Sequence, residues 1–575
     1  MKKWLSVTAL YIACSACVAA DHQVNTAALS PADRPRLILQ ITVDQLRGDL
    51  PTRYYDRLGE GGFRYLWEQG VVYADAHHAH ANTETIVGHT TLATGAHPSH
   101  HGMVGNLWFD RETGYVTYNV EDARYRLLTA GAGVDDDAEV DPTQRAARSE
   151  GRSPAAILVT TFADELVSGT GGRGKAIGIS VKDRGAIAMA GHAGTAYWFS
   201  KAGGEFVTSS YYLYQYPGWV SSHNQSQPAQ AYANKEWALT NPASTYVFGD
   251  SDDRPWEIDL GGFGRVFPHR FGDGTSPYFT TWLTFSPVGD RLVLDFALKA
   301  LEQEQLGVDG VTDYLSVSFS TTDYVGHVFG PSSLEQEDNL LQLDRTLADL
   351  LRAVDERVGL ENTLIVLSAD HGGPDTPGYL NSLNIPAAYV DPSSWDKSAA
   401  IERLKARFGT EGKIFETYSH PYLYFTESIK NDPAIDLAAL EAAVVGELSR
   451  YDGVALAVSS TALRSGNLPD TELMRAVVNN FHPKRSGDIY VVFEPNHFIN
   501  EFDGISVAAT HGSPWSYDTW VPVVFAGMGL KPQVVNRRVN TVDVAPTLSV
   551  IAGVKPPSGA VGKVLDEAVR RFPVR

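Results

Sequence analysis

The chain has 575 residues, 43% hydrophobic and 20% charged, an ordinary globular usage that excludes disordered, collagen-like and coiled-coil readings. Its 47 Lys and Arg against 68 Asp and Glu give a formal charge of −21, which argues against a nucleic acid as binding partner through a broad basic face and leaves room only for a small, locally positive pocket. At roughly 150 residues per domain the length suggests about four domains, although large α/β enzymes routinely exceed that size.

Lys2 and Lys3 precede an uncharged stretch from Trp4 to Ala20 that ends in Val18-Ala19-Ala20. This is the layout of a secretory signal peptide over residues 1–20, with cleavage between Ala20 and Asp21. Both cysteines, Cys14 and Cys17, fall inside it, so the exported chain would carry no thiol and no disulfide, and a charge of −23. The expected address is periplasmic or secreted. A retained anchor and a lipoprotein at Cys17 are the competing readings; Cys17 follows Ser15-Ala16 but lacks Leu at the expected place. No later segment reaches ~18 consecutive apolar residues, so no membrane span is expected after cleavage. Residues 21–35 read as a polar linker.

Apolar β-rich runs then recur at long intervals: Leu37–Val43, Ala176–Val181, Tyr314–Ser320, Leu364–Leu367, Ile489–Phe493 and Val521–Phe525. Continuous rather than alternating, they suit strands buried on both faces. Between them lie helices. From Ser332 the pattern predicts a capping box of Ser332 and Glu335, an apolar face of Leu340, Leu343, Leu347, Leu351, Val354 and Val358, and a stop at Gly359. Such alternation implies an α/β fold whose mainly parallel central sheet is flanked by helices. Three insertions form lobes, near 110–155, 194–285 and 385–485. The first holds Asp135-Asp136-Asp137, read as a solvated loop. The second holds Tyr211-Tyr212-Leu213-Tyr214-Gln215-Tyr216, read as packed lobe rather than a stacking platform. The third holds a helix over Leu437–Leu448. Residues 36–555 form one catalytic domain and 556–575 a tail.

The informative regularity is where acids and histidines fall relative to the strands. Asp44 directly follows Leu37–Val43, Asp323 follows Tyr314–Ser320 after two threonines, and Asp370 with His371 follows Leu364–Leu367. In open parallel sheets the carboxyl ends of strands open into the binding crevice, where residues distant in sequence converge. One such acid is ordinary strand-end capping; three, two of them with a nearby His (His327 and His371), point to a metal site. Imidazole and carboxylate suit zinc, whereas magnesium and calcium prefer all-oxygen shells. One more His would complete two sites of three protein ligands, and His511 is the best candidate. The histidine crowd of His77, His78, His80, His89, His97, His100 and His101 lacks strand-end carboxylates and is not read as a metal tract. Lys182 and Arg184 straddle Asp183 at the end of Ala176–Val181, so in an extended segment they share a face; their bland alternative is a surface basic pair neutralised by Asp183.

With these residues in place the chain resembles the alkaline phosphatase superfamily, and within it the bacterial alkaline phosphatases that use a threonine nucleophile. The resemblance runs in order through ITVDQLRGD (Asp44), ANTETIVGHTTLATG (Thr85), MVGNLWFD (Asn106), ISVKDRGAI (Lys182, Arg184), STTDYVGHVFGP (Asp323, His327), LSADHGG (Asp370, His371), ATHGSPWSYDTWVPVVFAG (His511) and NTVDVAPTL. It implies two zinc ions per chain, one held by Asp323, His327 and His511, the other by Asp44, Asp370 and His371 together with the oxygen of Thr85. Thr85 is thereby the nucleophile rather than Thr83, and hydrolysis passes through a phosphothreonine. Asn106, Lys182 and Arg184 contact the nonbridging phosphoryl oxygens, which favours small phosphate monoesters, because a monoester carries two charges there and a diester one.

Two rivals stand beside this reading: a phosphodiesterase or nucleotide pyrophosphatase with the same metal machinery, and a catalytically degenerate phosphate-binding protein. A sulfatase is disfavoured by the lack of a C/S-x-P-x-R motif, and a cofactor-independent phosphoglycerate mutase by its serine, its manganese and its lack of need for export. The sequence names no oligomeric state.

Overall fold

The structure is a computed structural model that describes residues 34–569 apart from Asp136 and Asp503. The expected signal peptide, both cysteines and most of the expected linker lie outside these residues. Among the described residues no helix is long and apolar enough to cross a membrane.

A nine-stranded sheet organises the molecule. Its strands are β1 (Leu37–Val43), β2 (Val71–Tyr73), β3 (Ala176–Ser180), β4 (Thr195–Ser200), β5 (Glu205–Val207), β6 (Asp313–Phe319), β7 (Thr363–Ser368), β8 (Val523–Gly527) and β9 (Gln533–Val535), in the spatial order β9-β2-β8-β7-β1-β6-β3-β4-β5. The central strand shows why the sequence folds this way. All seven residues of β1 are buried, and they alternate between two cores. Leu37, Leu39, Ile41 and Val43 pack with Leu315, Val317 and Phe319, while Ile38 packs on the other face with Tyr314, Leu364 and Val366. Gln40 is tolerated inside because the Tyr314 hydroxyl donates to its Oε1 at 2.8 Å.

Strand β1 pairs in parallel with β6 and β7, and β6 in turn with β3. The run expected around Val521–Phe525 is β8, and it runs antiparallel to both β7 and β2. The run Ile489–Phe493 is not in this sheet at all. It belongs to a four-stranded antiparallel sheet with Phe415–Ser419, Tyr422–Phe425 and Val454–Ser459, over a separate core that includes Trp395, Ile401, Leu440 and Val444. Continuous apolar composition records burial on both faces, and neither direction nor sheet membership is written in it.

Four helices matter for the site: α1 (Thr85–Thr94), α2 (Asp183–Ala190), α3 (Thr321–Phe329) and α4 (Leu334–Arg357). The six predicted apolar positions, five within α4 and Val358 at its C-cap, are all buried, each contributing about 1.5–3 kcal/mol relative to exposure. Its cap is shifted by one residue from expectation. Ser333, extended at φ −123° and ψ 164°, accepts from the Gln336 N–H, while Glu335 turns inward and meets His269 Nε2 at 3.2 Å. The chain leaves α4 through Gly359 at φ +85°, in the left-handed region that glycine reaches without strain. The helix expected over Leu437–Leu448 has those bounds.

Candidate active site

The carboxyl ends of β1, β3, β6 and β7 open on one edge of the sheet, and the chemistry-bearing residues leave from there. Asp44 follows β1, Lys182 caps α2 just after β3, Asp323 sits in the first turn of α3 after β6, and Asp370 with His371 follows β7. His511 arrives from the segment before β8. All six are nine-tenths or more buried. Two groups of side chains have their donor atoms within 4.8 Å of one another: Asp323 with His327 and His511, and Asp44 with Asp323 and His371. Asp370 Oδ2 adjoins the second group, 3.4 Å from His371 Nε2.

The three imidazoles are set alike. His327 Nδ1 lies 2.7 Å from the Ala509 carbonyl, His371 Nδ1 2.8 Å from that of Gly372, and His511 Nδ1 2.8 Å from that of Thr83. A carbonyl only accepts, so in each ring Nδ1 carries a proton, and in the neutral form Nε2 presents a lone pair. Those Nε2 atoms face carboxylate oxygens: His327 and His511 each 3.3 Å from Asp323 Oδ1, and His371 3.4 Å from Asp44 Oδ1. Lone pairs aimed at carboxylates are stable only with positive charge between them. Thr85 Oγ1, Asp44 Oδ1 and His371 Nε2 are also buried without a well-formed hydrogen bond. The donor set therefore fits divalent cations.

Electrostatics says the same. Burial raises the carboxyls of Asp44 and Asp323, but Lys182 beside Asp44, and His327 and Lys182 beside Asp323, outweigh it and hold both below the usual carboxylate range. Burial and the neighbouring Asp44 push Asp370 up. Burial lowers His371, yet Asp370 and Asp44 lift it to about 9. Burial and then the charge on His371 drive His511 down to about 3. Of the three buried carboxylates, two share one buried lysine, whose Nζ reaches Asp44 Oδ2 at 2.9 Å and also contacts Asp323 Oδ2, so the pocket has negative charge to spare.

Thr85 is the first residue of α1, with Glu84 as its extended N-cap. The Ile86 N–H donates to Asn106 Oδ1 at 3.1 Å and the Asn106 N–H donates to Glu84 Oε2 at 2.8 Å, which locks Asn106 beside the threonine. Gly88 lets α1 approach Asp370, since a Cβ there would lie 1.8 Å from the Asp370 carbonyl oxygen.

Lys182 and Arg184 do not lie in an extended segment as expected. The strand ends at Ser180, Lys182 is an N-cap and Arg184 is helical. Nor does Asp183 neutralise them; its carboxylate takes Arg152 Nε at 2.6 Å and the Tyr118 hydroxyl. Arg184 pairs instead with Asp141 Oδ2 at 3.0 Å. Burial lowers Arg184, but Asp141 more than restores it.

A sequence profile for type I phosphodiesterase / nucleotide pyrophosphatase matches residues 38–514. The chain belongs to that family. It is 33% identical to a Synechococcus elongatus protein named alkaline phosphatase PhoV, over 96% of this chain and 98% of the other. It is 35% identical to alkaline phosphatase PafA of Elizabethkingia meningoseptica, over 94% and 95%. The solved structure of wild-type PafA superposes with a TM-score of 0.82 at 32% identity, covering 93% of this chain and 99% of that one. The superfamily resemblance read from the sequence motifs and the mostly parallel α/β fold both hold.

Within this family fold, three contacts around the acids were not singled out from sequence. Gln45 donates its backbone N–H to Asp370 Oδ1 at 3.2 Å and its Nε2 to Asp323 Oδ1 at 3.1 Å, from a left-handed backbone at φ +63°. His89 Nδ1 lies 3.0 Å from Asp370 Oδ2, and its Nε2 2.9 Å from Ser318 Oγ. Asp141 holds Arg184. The tyrosine run lies elsewhere, with Tyr211 and Tyr212 donating their hydroxyls to the carbonyls of His192 and Gly191.

Proposed function

We propose that this protein is an exported alkaline phosphatase that hydrolyses phosphate monoesters through a phosphothreonine at Thr85, with two zinc ions per chain. The observation that carries the reading is Lys182 bridging Asp44 and Asp323, with Arg184 two residues on: two buried cations in a chain that also buries an unbonded threonine hydroxyl and two histidine–carboxylate groups. Full-length similarity to two proteins named alkaline phosphatases supports it.

Asp323, His327 and His511 would hold one ion, and Asp44, Asp370 and His371 the other. When bound, the ions supply Lewis acidity to the threonine oxygen and to the departing ester oxygen. The chain's own groups do the rest. Glu84 and Asn106 fix the start of α1, so Thr85 Oγ1 faces the phosphorus. Lys182, Arg184 and the amide nitrogen of Asn106 neutralise and orient the nonbridging oxygens, which is the larger part of catalysis where charge placement and positioning dominate. The Thr85 Oγ–P bond forms as the P–O bond to the ester group breaks, and the alcohol leaves with a proton that balances the one the Thr85 hydroxyl gives up. Water then cleaves the phosphothreonine, restoring Thr85 and releasing inorganic phosphate.

The rival favoured by the family profile is phosphodiesterase action. The deciding experiment compares kcat/KM for p-nitrophenyl phosphate and bis-p-nitrophenyl phosphate with the zinc-loaded protein. The monoester is expected to be faster by orders of magnitude; a faster diester would overturn the proposal.

A further inference from the structure

We infer that the cavity on the Asp323–His327–His511 side of the site takes the organic group of the phosphate ester and selects uncharged, apolar ester groups; the inference rests on the phosphatase reading above. The cavity holds about 80 Å³ and is bordered by Asp323, His327, His511, Asn106 and Arg184, whereas Thr85, Asp44, Asp370 and His371 lie outside its lining. In-line displacement at phosphorus puts the entering and leaving oxygens on opposite sides. A phosphoryl group attacked by Thr85 thus sheds its alcohol toward this cavity.

The outer wall of the cavity is apolar. Leu260, Phe285, Val328, Phe498, Phe502 and Ile505 contribute to it. The first three are buried core residues, whereas Phe502 and Ile505 are half-buried and face each other in the hairpin register of Glu501–Phe502 with Ile505–Ser506. That hairpin is tied to the site. The Ala508 N–H donates to the His327 carbonyl at 2.7 Å, the Val507 N–H to Asn500 at 2.9 Å, and the Tyr389 hydroxyl to the Ala508 carbonyl at 2.9 Å. Its apolar side chains are therefore positioned with respect to a proposed zinc ligand.

Charge narrows the ester group further. No lysine is among the described lining residues, and the one arginine, Arg184, is committed to Asp141 and to the phosphoryl oxygens. Glu84 adds negative charge at the border, whereas that of Asp141 is matched by Arg184. A second anionic group on the substrate would lose its water against the apolar outer wall with no lysine or free arginine to pair it, and a hydrocarbon group finds surface to cover. Alkyl and aryl monoesters are preferred over esters carrying a carboxylate or a further phosphate.

The test uses the full-length zinc-loaded protein with n-hexyl phosphate and ethyl phosphate, whose alcohols are leaving groups of similar basicity. Burial of about half of the four extra methylenes predicts a kcat/KM ratio on the order of tenfold in favour of hexyl. An analogue ending in a carboxylate should lose that advantage. The double substitution Phe502→Ala/Ile505→Ala should bring the hexyl-to-ethyl ratio close to one, whereas Tyr214→Ser, at a side chain 98% exposed and outside the cavity, should leave the ratio in place. Equal wild-type values for the two esters, or a hexyl preference that survives the double substitution, would overturn the inference while p-nitrophenyl phosphate hydrolysis stands. Inertness toward all these monoesters would overturn the phosphatase reading and the inference together.

Discussion

His371 and His511 stack with ring centroids 3.5 Å apart and an interplanar angle of 17°, although each belongs to a different carboxylate group. Their charges oppose one another, the first ring lifted by Asp370 and Asp44 and the second depressed by burial and by the first. One shell of side chains thus places two lone-pair nitrogens side by side over three acids, an arrangement that two cations satisfy and that protons satisfy only in part.

Metal removal should follow directly from that charge excess. Dialysis against a strong chelator is expected to abolish p-nitrophenyl phosphate hydrolysis, and zinc to restore it. The chelated protein should also melt earlier, because a ligand at 1,000 times its Kd adds about 4 kcal/mol to the folded state. Elemental assay should find two zinc ions per active chain; full activity in a metal-free preparation would defeat the assignment of Asp44, Asp323, Asp370, His327, His371 and His511.

Thr85→Ala should remove acid-stable phosphoprotein after a quench with labelled substrate and lower kcat on the order of 10⁶-fold, the scale seen when a nucleophile is deleted. Thr85→Ser keeps the hydroxyl and should retain a phosphoenzyme. Labelling that persists in Thr85→Ala would move the nucleophile to Thr83, whose Oγ1 donates to the Ser513 carbonyl at 2.9 Å.

Much of this site can be read from sequence because metal-type ligands are conspicuous just after apolar strand runs: Asp44 after β1, Asp370 and His371 after β7. What escapes has no local mark. Gln45 earns its role from a left-handed backbone that nothing in its neighbours announces. His89 is one histidine among seven between His77 and His101. Asp141 reaches Arg184 across 43 residues of chain from a loop. The fold repeats the lesson, since β8 and Ile489–Phe493 are as apolar as β1, and burial is encoded there without direction. The one-residue error at the start of α4 comes from adjacent serines, of which Ser333, with the extended backbone a cap requires, takes the Gln336 N–H.

Arg184→Ala should separate the two ester classes. On the proposed reading the lost cation faces the nonbridging oxygens, so monoester kcat/KM is expected to fall by about 10²–10³-fold, the range for deleting one such donor, and diester kcat/KM by much less. Asp141→Ala should do part of the same damage without touching substrate, because it leaves Arg184 buried and unpaired. Reading kcat and KM separately, Asp141→Asn should recover more of kcat than Asp141→Ala. Equal losses on both ester classes would remove Arg184 from the discrimination.

The histidine crowd gives a stability prediction away from the metal ligands. His101 Nδ1 accepts the Met103 N–H at 3.1 Å while its Nε2 meets Thr91 Oγ1 at 3.2 Å, and both ring nitrogens of His80 are buried without a partner. Burial pushes His80 and His101 well below the ordinary value of 6.5, and burial with His100 brings His97 to about 4. Between those values and 6.5 the unfolded chain binds protons that the folded chain refuses, so stability rises with pH across that window. It is fully present above 6.5 and is lost as pH falls through the window. Chemical denaturation of the zinc-loaded protein should therefore show a falling free energy from pH 7 to pH 4.5. Protonation of metal ligands adds to the same fall, and His101→Gln, which cannot charge, separates the two: it should be less stable at pH 8 yet show a shallower loss toward pH 4.5. A variant with the wild-type slope would place the acid sensitivity in the metal centre instead.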